Sequence, residues 1–139
     1  MKLSTAIAFA AALALSGPVL AADEHHHHGT EGAKLVLNQG KKWQTDAPLR
    51  QGMSNIRAAV ASGTKPQALA GRVNAEVAYI VQNCKLPEDA DAQLHRVIAE
   101  LLAGADEMKG GHAHEGAERV VKALNQYGRF FDHPGWRKL

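Results

Sequence analysis

One cysteine, Cys84, stands among 139 residues, so no disulfide within a single molecule can staple this chain. Aromatic residues are scarce, at 5%. The alternating β-branched runs that mark strands are nearly missing, which argues against a sheet-based fold. No charge sign dominates: 16 Lys and Arg face 14 Asp and Glu, and no basic stripe stands out. Nucleic acid is therefore excluded as the expected partner. There is no P-loop, no HExxH, no Ser/His/Asp arrangement and no pair of core carboxylates, so catalysis is not expected. Glu76 and Glu100 read as solvated, and Asp132 as a surface neighbour of His133.

One long apolar run is present, and it lies at the start. Lys2 precedes TAIAFAAALAL, then Ser16-Gly17-Pro18, then Val19-Leu20-Ala21-Ala22. A short basic start, an apolar middle and small residues at the cut have the layout of a secretory signal. Residues 1–21 are read as that signal, with Ala22 as the alternative cut. The run is shorter than the ~20 residues a spanning helix needs, so no stable membrane insertion is expected once it is removed. The expected destination is the periplasm. Residues 22–42 then read as a flexible, histidine-rich arm. Its first part is polar and glycine-broken, and Lys34–Asn38 reads as a short extended piece lying on the domain. The domain itself is expected over residues 43–139.

The rest of the chain carries helical periodicity. Asp46 is a good N-cap, with Pro48 in the first turn. Leu49, Met53, Ile56 and Val60 then recur at helical spacing until Ser62-Gly63-Thr64. A second helix runs from Lys65-Pro66 to about Asn83, on Ala70, Val73, Val77, Ile80 and Cys84. A third starts at Pro87 with an acidic first turn, suited to the helix dipole. It continues through Leu94, Val97, Ile98, Leu101, Leu102, Ala105 and Met108 to Gly110-Gly111. A fourth starts near His114 or Glu115, on Ala117, Val120, Val121, Leu124, Gly128 and Phe131, and ends at Pro134-Gly135. The expected fold is all-α, an antiparallel up-down-up-down four-helix bundle. A three-helix core with a docked helix, or a dimer of hairpins, are the alternatives.

That topology gathers chemistry at one end. The start of helix 1, the end of helix 2, the start of helix 3 and the end of helix 4 would meet there. They bring Trp43, Met53, Tyr79, Cys84, His95, Tyr127, Phe130, Phe131, His133 and Trp136. Met53 and His95 would both lie about 10–13 Å from that end. Bundle interiors are where facing helices build metal sites, and a Met, Cys and His donor set favours copper. The candidate core ligands are Met53, Cys84, His95 and His133. Ordinary packing competes for each of them: a core Met as filler, a lone Cys as a small hydrophobe, the two His as hydrogen-bonded or helix-end residues. At the other end, His112 and His114 sit in a glycine loop with Glu115. With His25, His26, His27 and His28 they form histidine-rich segments able to take Cu(II), Ni(II) or Zn(II). The first expectation is thus a non-catalytic exported bundle that binds a transition metal, copper foremost.

Met53 on the first helix, with His133 at the end of the last, resembles the soluble b-type cytochrome of the periplasm. In that family a four-helix bundle holds non-covalent haem between a helix-1 Met and a helix-4 His. The resemblance implies Met53 and His133 as haem ligands and an electron-carrier role. Cytochromes c-prime share the bundle but attach haem through CxxCH, which a chain with Cys84 alone excludes. The whole sequence is also similar to small exported proteins of Gram-negative bacteria. A cofactor-free helical interaction protein is the remaining expectation.

Overall fold

The structure, a computed structural model, describes residues 34–139. The expected signal and His25–His28 lie outside the described residues. Four helices account for the fold: α1 Ala47–Ala61, α2 Pro66–Asn83, α3 Glu88–Lys109 and α4 Ala113–Phe130. Among the described residues the only β-type pairings are two isolated bridges, Asn38 with Lys41 and Trp43 with Phe131.

Each boundary has a local cause. Asp46 caps α1, its Oδ1 accepting the Leu49 N–H at 3.0 Å. Gly63, at φ +69°, supplies the left-handed turn that ends α1. Pro66 opens α2, where a missing N–H leaves no bond unmade. Cys84 is extended, and Pro87 keeps the residues before it out of helix. Glu88, Asp89 and Asp91 fill the first turn of α3, and Gly111 at φ +94° follows its end.

Packing is uneven. α3 and α4 lie most intimately together, α1 packs on α2 and α2 on α3, while α4 meets α1 and α2 only lightly. Two glycines explain the α3–α4 contact. A Cβ on Gly116 would sit 2.5 Å from the Gly104 carbonyl oxygen, and one on Gly104 would sit 2.7 Å from the Gly116 oxygen. Bare Cα atoms at the crossing let the two backbones nearly touch.

The core takes Leu49, Met53 and Ile56 from α1, and Leu69, Ala70, Val73, Val77 and Ile80 from α2. α3 adds Leu94, Val97, Ile98, Leu101, Ala105 and Met108, and α4 adds Val120, Ala123, Leu124 and Tyr127. Fully burying one such large side chain contributes about 1.5–3 kcal/mol. Two sequence expectations change. α4 turns Gly116, Val120, Ala123, Leu124 and Tyr127 inward, and leaves Ala117, Val121 and Gly128 only half-buried. The Gly116 crossing sets this rotation. Glu76 is buried rather than solvated, because Asn55 of α1 donates to its Oε2 at 3.1 Å and Arg72 to its Oε1 at 3.3 Å. Glu100 stays partly exposed beside Arg119.

The lead-in runs extended along the helices. Val36 N–H donates to Gln93 Oε1 at 3.0 Å, and Arg96 Nη1 donates to the Lys34 carbonyl. No helix among the described residues is long and apolar enough to cross a membrane.

Candidate functional site

The aromatic end is held shut by backbone and ring contacts. Trp43 N–H donates to the Phe130 carbonyl and Asp132 N–H to the Trp43 carbonyl, both at 2.8 Å. The lead-in is thereby tied to the exit of α4. Tyr127 stacks on Phe131 at 5.3 Å between centroids and meets Trp136 edge-on at 4.9 Å. Trp136 reaches this position because Gly128 has no side chain: a Cβ there would collide with the indole. The tail beyond Trp136 continues over α4, with Leu139 N–H donating to Asn125 Oδ1 at 2.9 Å. Arg57 Nε donates to the Arg137 carbonyl at 2.6 Å.

His133 lies inside this cluster with both ring nitrogens engaged. Nδ1 is 2.9 Å from the Tyr127 hydroxyl and Nε2 is 3.3 Å from Ser54 Oγ. A neutral ring satisfies both, with Tyr127 donating to Nδ1 and the Nε2–H donating to Ser54. Burial, and then the Arg50 guanidinium, hold the imidazole below its usual pKa. Burial is also the main cause that pushes the Tyr127 phenol above its usual range. Cys84 is a partly buried free thiol. Burial, its hydrogen bond to Asp46 and the charges of Asp46 and Asp91 push it up to about 12, so it stays protonated at neutral pH. For Asp46, burial acts upward. The N–H groups of Lys85 and Leu49, the Cys84 thiol and Arg50 outweigh it, leaving the carboxyl below its usual value.

The expected ligands separate. Met53 is wholly buried in the core. His95 points outward, its Nδ1 2.9 Å from the Asp91 carbonyl oxygen and 3.2 Å from Asp91 Oδ2. Among the described residues, no three His, Cys, Asp or Glu side chains gather as a metal-holding group. Cys84, His95 and His133 therefore do not share a centre with one another. The haem pair fits no better. Both His133 nitrogens are engaged, by Tyr127 and Ser54, and Tyr127 packs on Phe131 and Trp136. At the opposite end His112 precedes α4, exposed, and His114 Nε2 pairs with Glu118 Oε1 at 3.2 Å.

Two hollows remain. A charged one beside α3 has Arg119 in its wall, bound to Glu107 at 2.7 Å and Glu100 at 2.9 Å. The larger is a groove of about 1070 Å³ that runs along α4. Its apolar lining includes Val60 of α1, Leu69 of α2, Ala117 and Val121 of α4, and Trp136 of the tail. Sequence reasoning missed it, since Val121 and Ala117 read as core. The signal was a helix with more apolar positions than its neighbours could cover. No family model, curated protein or solved structure matches this chain.

Proposed function

We propose that this chain is an exported, non-catalytic interaction protein of the periplasm, built as an up-down-up-down four-helix bundle that needs no cofactor. The topology rests on consecutive helices packing as neighbours, joined by short turns. The export assignment rests on the basic-apolar-small layout of residues 1–21. One observation carries the functional reading. The end rich in Met, Cys, His and aromatics is closed, with His133 bonded on both sides, while the open concavity is apolar and lies along α4. Titration of the purified protein with haem and with Cu(I) tests it. Neither ligand is expected to bind stoichiometrically at the aromatic end, and Met53→Leu with His133→Gln is expected to change neither titration. A Soret band lost in that double variant would overturn the reading.

A second reading has its own support. The exposed His114–Glu118 pair, 3.2 Å apart, offers two donors to a transition metal, with the exposed His112 two residues before it in the chain. His25–His28 add further imidazoles to the sequence. Zn(II) or Cu(II) binding that survives removal of residues 22–31 but vanishes in His112→Ala/His114→Ala would favour this reading.

A further inference from the structure

We infer that the α4 groove receives a single amphipathic helix of a partner protein, one that flanks its apolar stripe with acidic residues. This deepens the interaction reading and rests on it. Shape is the first argument. The groove's α4 lining extends from His114 to Arg129. These residues are fifteen apart in one helix, a length of about 22 Å, or four helical turns. The floor is apolar, with Val60, Val121 and Trp136 along it. That is the form of a helix-in-groove site. Charge is the second argument. Lys122, Arg129 and Lys138 line the groove, and none of them makes an ion pair with a carboxylate of the described residues. The one acid in the lining, Glu118, is paired with His114. Acidic flanks on an incoming helix would meet these cations, steer its approach and fix its register.

Other occupants fit less well. A bilayer surface needs a convex apolar face, and this one is sunk between helices. A second copy offers only Val36, Leu37 and Val81 as exposed large hydrophobics among the described residues, with no stripe along one helix. The chain's own DEHHHHGTEG segment has no apolar stripe to lay on the floor.

The test uses two synthetic helical peptides with the same leucine stripe, one flanked by Glu and one by Lys, added to the purified ¹⁵N-labelled protein. The Glu peptide is expected to bind and to shift the Trp136 indole resonance while leaving Trp43 in place. The Lys peptide is expected to bind at least tenfold more weakly. Lys122→Glu/Arg129→Glu, which changes two exposed charges, is expected to reverse that order. Val121→Asp is expected to abolish binding of both. Equal binding of the two peptides overturns the inference, as does binding that leaves Trp136 unshifted, or no binding up to about 1 mM. None of these outcomes touches the haem and copper titrations, by which the interaction reading itself stands or falls.

Discussion

The aromatic end and the α4 groove are both apolar, yet they are built in opposite ways. At the aromatic end most polar atoms are used inside the fold: Tyr127 with His133, His133 with Ser54, Asp46 with Leu49, Lys85 and Cys84, while the buried Trp136 Nε1 has no partner among the described residues. Along the groove the apolar floor lacks a cover, and the cations beside it have no carboxylate partner among the described residues. Residue types with striking chemistry are concentrated at the first region, and ordinary Val, Ala and Lys make up the second. The aromatic end has a visible structural use. Here it clamps the lead-in and the C-terminal tail onto the helix ends.

The sharpest way to break this contrast is Tyr127→Ala. Tyr127 is fully buried and touches Phe131, His133 and Trp136. Its truncation is expected to cost about 3–5 kcal/mol in urea unfolding; a cost under about 1 kcal/mol would mean that the end is not closed core. Next in size is Gly128→Ala. Its methyl would meet the Trp136 indole, so the tail must lift. We expect a loss of about 1–3 kcal/mol, with Trp136 emission moving to the red and the C-terminus becoming open to carboxypeptidase.

Asp46→Ala is expected to cost about 0.5–2 kcal/mol through the lost cap. Asp46→Asn keeps a good cap but removes the charge that helps hold the Cys84 proton. Iodoacetamide should therefore label Cys84 faster in Asp46→Asn than in the parent at the same pH. An unchanged rate would leave burial as the whole cause. His133 gives a smaller, pH-dependent effect. Its folded pKa lies below the ordinary 6.5, so the unfolded chain takes up the proton first as pH falls. The stability it contributes is complete above about pH 6.5 and is lost as pH drops from there toward the folded value. Unfolding measured at about pH 7.5 and 5.5 should show this loss in the parent and a reduced one in His133→Gln.

Most helix starts and stops were legible in the chain because their causes are local; α4, expected to run on to Pro134-Gly135, instead stops at Phe130, where Phe131 turns extended to pair with Trp43. Asp46, Pro66, the acidic turn of α3 and Gly110-Gly111 act within a few residues. The stripes of α1, α2 and α3 were legible for the same reason. The rotation of α4 was not, because it is set across helices by the Gly104–Gly116 approach, which no periodicity in α4 alone contains. Burial of Glu76 escaped as well, since it depends on Asn55 facing it from α1. The expected ligand set was assembled from distance along the helix axes. That places Met53 and His95 at one level but says nothing of azimuth, and His95 lies on the outer side, against Asp91.

The smallest expected stability change tests the other half of the contrast. Val121 sits half-buried on the groove floor, on the side of α4 that α1 and α2 barely reach. An aspartate there keeps its carboxylate in water, so Val121→Asp should alter unfolding by no more than about 0.5 kcal/mol, the range of ordinary surface changes. In the same position it places a charge under any helix lying in the groove, where desolvation makes an unpaired carboxylate costly. Stability and binding should therefore separate at Val121 and move together at Tyr127. If Val121→Asp unfolds the protein as Tyr127→Ala does, the groove floor is core that the fold depends on, and the two regions differ only in how far they are covered.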